Sequence, residues 1–72
     1  MLPQEARNQL RSARVIAGLS QTALARLTKM SQPVISRIET GARSASAQER
    51  DGIAVALGQT AKVVFPTQEE EG

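Results

Sequence analysis

Residues 20–41 read SQTALARLTKMSQPVISRIETG, and the fold turns on how this stretch divides. Ser20 is suited to cap a helix, because its hydroxyl can accept an otherwise unpaired amide N–H. Ala23, Leu24 and Leu27 then recur at helical spacing up to Thr28. Ser31 opens a second helix in the same way, and Pro33 stands in its first turn, where a missing amide proton does no harm. Val34, Ile35 and Ile38 carry this helix to Gly41, which leaves a turn of only a few residues between the two elements. Ala25 is small enough to let the helices approach, Leu24, Ile35 and Ile38 supply their contact, and Met30 is expected to fill the space beneath the turn. The opposite side of the second helix keeps Gln32, Pro33, Ser36 and Arg37.

Outward from this pair the punctuation continues. Upstream, Pro3 suits the first turn of a helix, and Leu10, Ala13 and Ala17 recur at helical spacing until Gly18, which suits a left-handed cap. Downstream, Ala42 to Ala45 reads as a loop. Ser46-Ala47-Gln48-Glu49 matches a capping box, in which the two polar side chains satisfy each other's backbone amides. A fourth helix follows with Ile53, Ala54 and Leu57 facing inward, and Gly58 ends it. Then the period changes: Ala61, Val63 and Phe65 alternate with Thr60, Lys62 and Val64, and their β-branched content predicts a short strand stopped by Pro66. A lone strand cannot satisfy its own backbone, so Lys62, Val63, Val64 and Phe65 are expected to pair with their copies across a dimer. The alternative is a short fifth helix packed on the core. The expected organisation is one domain over residues 1–66 and a disordered acidic tail over 67–72.

Composition narrows the chemistry. The chain has no cysteine and no histidine, which excludes disulfides, thiolate chemistry and zinc-finger ligand sets. Phe65 is the only aromatic residue, so the core must come from Leu, Ile, Val, Ala and Met. Nothing groups its serines and carboxylates into an active site, and there is no Gly-rich phosphate loop; no enzyme, cofactor or metal is expected. The formal net charge is +2, but three of the seven acidic residues are Glu69, Glu70 and Glu71. Nine basic residues against four acidic ones leave residues 1–66 at +5. A compact body with that excess attracts polyanions, above all nucleic acid. No apolar run is long enough to span a bilayer and no signal segment opens the chain, so a cytoplasmic location without membrane contact is expected.

With charge and pattern taken together, a helix braced by another and polar on its free side suits the major groove of duplex DNA. Gln and Arg can each make paired hydrogen bonds to a base edge, Gln to adenine and Arg to guanine. The segment from Leu10 to Gly41, L-R-x-x-R-x-x-x-G-L-S-Q-x-x-L-A-x-x-x-x-x-S-Q-P-x-I-S-R-I-E-x-G, resembles the Xre family of helix-turn-helix regulators, which includes the lambdoid phage Cro proteins and repressors. It is also similar to antitoxin regulators of the HipB type. The I-A-x-A-L-G at Ile53 to Gly58 extends the resemblance, and many spaced positions agreeing at once make it specific.

The resemblance implies an all-α, four- to five-helix lambda-repressor-like DNA-binding domain of bacterial or phage origin, associated with the nucleoid when bound. It implies base reading by Gln32, Pro33, Ser36 and Arg37. Phosphate contacts would come from Gln21 at the start of the second helix, and from Ser31, Thr40, Arg43 and Ser44 on either side of the groove, with Lys29 a further candidate. Arg14 and Glu39 would form a structural ion pair beneath this face. Lys29 departs from the family pattern, which has Gly in the turn because the backbone there visits the left-handed region. The implied function is a transcriptional regulator, a repressor acting as a homodimer on a palindromic double-stranded operator. The alternative is an antitoxin that autoregulates its operon and also binds a toxin protein.

Overall fold

A computed structural model describes residues 8–66 and places five helices among them: α1 (Leu10–Ile16), α2 (Gln21–Thr28), α3 (Gln32–Thr40), α4 (Ala47–Leu57) and α5 (Ala61–Val64). The serines begin three of these as their positions suggest. Ser20 accepts from the Ala23 amide at 3.0 Å, Ser31 from Val34 at 3.4 Å and Ser46 from Glu49 at 3.1 Å. Glu49 answers by accepting the Ser46 amide at 2.9 Å, which completes the capping box. Pro33 lies in the first turn of α3. Each satisfied amide removes one of the unpaired donors that fray a helix start, worth about 1 kcal/mol.

Packing follows from the apolar spacing. α2 lies against α3 and α4, α4 against α5, and α1 against α3. Leu10, Leu24, Ile35, Ile38, Ile53, Val64 and Phe65 are fully buried, with Ala25, Ala45 and Ala54 filling the close approaches. Met30, in the α2–α3 turn, is partly buried against this core. Leu27 departs from the expected stripe: it stands exposed, and Leu24 with Ala25 forms the buried edge of α2 instead. Among the described residues no helix is long and apolar enough to cross a membrane.

At the start of the described residues α1 begins at Leu10 after Gln9, and Pro3 lies outside them. Buried Asn8 organises this start. Its Oδ1 accepts the Leu10 amide at 3.0 Å while its Nδ2 donates to the Ile38 carbonyl at 2.9 Å, tying the entry of α1 to the end of α3. At the other end the expected strand over Lys62, Val63, Val64 and Phe65 is a helical turn, the alternative considered for this segment. Thr60 caps it by accepting the Val63 amide at 3.3 Å, and Val64 and Phe65 are wholly buried in the chain's own core. They are packed into the core of one chain and do not form the extended edge that the expected strand pairing requires. The expected alternation put Val63 with Phe65 and Val64 opposite, but Val63 is exposed while the adjacent Val64 and Phe65 are both buried; one turn is too short for a helical period to declare itself in the sequence. The acidic tail expected over 67–72 lies outside the described residues.

The α2–α3 turn is built around Lys29, whose backbone is left-handed at φ 59°. The Met30 amide returns to the Ala25 carbonyl at 2.9 Å and closes the end of α2. A residue with a β-carbon is strained there, by about 1 kcal/mol relative to glycine. Lys29→Gly is therefore expected to raise unfolding stability by up to about 1 kcal/mol, less the extra entropy that glycine gives the unfolded chain. Urea denaturation checks this, and a variant that loses 1 kcal/mol or more would show that the Lys29 side chain supports the turn in a way its exposure does not reveal.

Candidate nucleic-acid interface

The polar edge of α3 is positioned from behind. Ile35 and Ile38 anchor one side of the helix in the core, so the other side carries Pro33 and Arg37 exposed and Gln32 and Ser36 partly exposed. Arg37 is in the last turn, and its carbonyl accepts the Thr40 hydroxyl at 3.2 Å and the Arg43 amide at 3.2 Å. The loop that follows is thus folded back on the end of α3.

Beneath this edge runs a connected set of polar side chains. Arg14 and Glu39 form an ion pair with Nε donating to Oε2 at 2.5 Å and Nη2 to Oε1 at 3.4 Å. The two side chains are only 12% and 5% exposed, which separates this pair from an ordinary surface contact. Arg14 Nη1 also donates to the Leu19 carbonyl at 2.7 Å, fixing the chain as it enters α2. Gln21 Nε2 donates to Glu39 Oε1 at 3.0 Å, and Gln21 Oε1 in turn accepts Gln32 Nε2 at 2.5 Å. Three elements are joined in this way: α1 through Arg14, α2 through Gln21, and α3 at both ends through Gln32 and Glu39. Among the described residues no buried side-chain nitrogen or oxygen lacks a partner. A fully satisfied polar network of this kind holds its members in one arrangement, since moving any one leaves another unpaired in a poorly solvated place.

A cleft opens beside the network, lined by Arg11, Arg14, Gln21, Glu39 and Thr40. It brings together Gln21 and Thr40, two of the residues expected to touch phosphate. Of the remaining phosphate candidates, Ser31 is exposed but occupied as the cap of α3, Lys29 is exposed in the turn, and Arg43 and Ser44 are exposed on the α3–α4 loop. Arg43 is not free: Nη1 and Nη2 donate to the two carboxylate oxygens of Glu49, each at 3.0 Å. The hydrogen bond from Arg43, reinforced by the Ser46 amide, holds the Glu49 carboxyl below the usual carboxylate range. Because the folded pKa is the lower one, the stabilisation from Glu49 is complete above the unfolded carboxylate value and fades as pH falls through the folded one.

Sequence reasoning missed several of these partners. Asn8 carried a signal, since Asn readily caps a helix start. Arg50 donates to the Ala45 carbonyl at 2.9 Å and helps hold the loop. The bonds joining Gln21 to Glu39 and to Gln32 link α2 to both ends of α3, and no local spacing reveals them.

Comparison with known proteins agrees with this fold. A family model described as a helix-turn-helix domain matches residues 5–64. Among solved structures, the chain is similar to the clp gene regulator ClgR from Corynebacterium glutamicum, with a TM-score of 0.79 and 26% sequence identity over 99% of this chain and 77% of that one. A second ClgR structure gives the same TM-score at 27% identity, covering 97% of this chain and 91% of the other. Among curated protein sequences, none matches.

Proposed function

We propose that this chain, which belongs to the helix-turn-helix domain family, is a transcriptional repressor that reads a palindromic operator in double-stranded DNA as a homodimer. The helix-turn-helix domain and the likeness to a gene regulator support DNA binding and transcriptional regulation at the general level. The protein is a binding module and not an enzyme. Repression, the dimer and the operator's symmetry are our reading. The observation that carries it is the outward polar edge of α3, with Gln32, Pro33, Ser36 and Arg37 set on a helix whose reverse side is locked into the core. Base edges are the task for which such a side-chain set is suited. Gln21, Thr40, Ser31, Ser44, Arg43 and Lys29 serve as phosphate contacts around it, setting register rather than sequence. A promoter occupied in this way is closed to other proteins, and the site of action is the cytoplasm.

One domain this small reads few bases, so two copies related by a two-fold axis are expected, with half-sites about 34–36 Å apart. Without a C-terminal strand, the pairing surface passes to the outer side of α4 and α5, where Val55 and Val63 stand exposed. Selection from random duplexes, with sedimentation of the resulting complex, tests this directly. An enriched inverted repeat bound by two chains is the expected result, and a single half-site bound by one chain would overturn the dimer. The antitoxin alternative drew on a strand and an acidic end at the C-terminus; α5 stands in place of the strand, and the acidic end lies outside the described residues.

A further inference from the structure

Arg43 is held in a way that bears on how the chain grips a phosphate. Its amide is bonded to the Arg37 carbonyl, so it sits at the end of α3, beside the proposed base-reading edge. Its guanidinium, however, turns to α4 and meets Glu49 with both terminal nitrogens, while Nη1 also reaches the Ser44 carbonyl at 3.4 Å. Glu49 is itself fixed, since Oε1 accepts the Ser46 amide and the Ser46 hydroxyl caps the amide of Glu49. The carboxylate therefore stays where the helix puts it and Arg43 comes to it. A paired two-nitrogen contact is also the geometry by which arginine holds a phosphate. Both anions compete for the same end of one guanidinium.

We propose that Glu49 is a built-in competitor for DNA phosphate, so that Arg43 engages the backbone only by exchanging its carboxylate partner for a phosphate. The proposal rests on the DNA-binding reading given above and adds to it a residue that sets affinity without touching DNA. It makes Glu49 an attenuator. The pair is partly exposed, with side chains 39% and 25% accessible, so the exchange needs no rearrangement of the core. A neutralised Arg43 also adds little to the general attraction between this basic body and a polyanion until the exchange occurs.

The test is a double-mutant cycle on a mixed-sequence duplex of about 30 base pairs, with binding measured across a salt series. Glu49→Gln keeps a capping-box residue at its place and removes the charge, and thermal melting confirms that the fold is kept. This variant is expected to bind two- to fivefold tighter at low salt, roughly the range spanned by a surface ion pair. Its log–log salt slope should steepen by about 0.9, the release expected for one further phosphate contact. The gain should vanish in the Arg43→Ala background. Asp51→Asn makes the same charge change at an exposed position of the same helix, and its smaller gain should persist when Arg43 is absent. A gain from Glu49→Gln that survives Arg43→Ala, or no gain at all, overturns the competition while leaving DNA binding intact. A wild-type chain that fails to retain the duplex at any salt instead defeats the DNA-binding reading on which the proposal rests.

Discussion

Replacing Glu39 with alanine is expected to lower unfolding stability by about 3–5 kcal/mol, the usual result of removing one partner from a buried ion pair. Arg14 keeps its bond to the Leu19 carbonyl but loses both contacts to the carboxylate, and its charge is left in a place that is 12% exposed. Gln21 loses its acceptor at the same time, which releases Gln32 from the arrangement that Gln21 imposes. For a domain of this size, total stability is only about 4–11 kcal/mol, so the variant stands close to the threshold of folding at room temperature. Each kcal/mol moves the melting temperature of a 60–100-residue domain by about 4–8 °C, and a fall of well over 10 °C follows. Thermal and urea melting measure this directly. A loss below about 1 kcal/mol would class the pair with exposed contacts and remove it as the brace behind α3. Glu39→Gln separates charge from shape: it can still bond Gln21, yet leaves Arg14 without a counter-charge, and is expected to recover only part of the loss.

Arg37→Ala is expected to behave in the opposite manner, with stability nearly unchanged and recognition damaged. Its guanidinium is exposed in the last turn of α3, while the fold uses only its backbone carbonyl. Truncation should weaken binding to the selected operator by about 1–3 kcal/mol and relax the preference at one base position in each half-site. The same variant should lose much less on mixed-sequence duplex, because a base contact adds nothing where the base is wrong. Competition binding with point-substituted duplexes reads this pattern. Equal weakening on every sequence would move Arg37 to the phosphate set, and the salt slope would then fall by about one.

How much of this could be read from residues alone follows the range of the interactions involved. Ser20, Ser31 and the Ser46/Glu49 box mark the helix starts within a few residues of the chain, and the structure has helices begin just after each. The apolar set of Leu24, Ile35 and Ile38 was legible from its period, whereas the left-handed turn in which Lys29 lies was expected only from the family resemblance. What escaped was either too short or too distant. The last segment offers one turn, and in so few residues a run of β-branched side chains fits a strand as well as a helix; the adjacent buried Val64 and Phe65 and the cap by Thr60 belong to the helical turn. Leu27 looks inward by count, but the core is filled by its neighbours and Leu27 is left in solvent. For the site, residue types were legible and their partners were not. Gln32 and Arg37 could be placed on one side of α3 from spacing, whereas the chain from Gln32 through Gln21 and Glu39 to Arg14 spans three helices. Arg43 is the sharpest case, because its pairing with Glu49 depends on the path of the loop after α3.

Nuclear magnetic resonance of the labelled chain with its selected operator shows whether the polar edge of α3 meets the bases. The side-chain signals of Gln32 and Arg37 are expected to shift most and to gain contacts to base protons, with smaller changes at Gln21 and Thr40. Signals from the outer side of α4 should report only the second protein copy. A complex in which Gln32 and Arg37 keep their free-state signals while another surface meets the duplex would contradict base reading by α3.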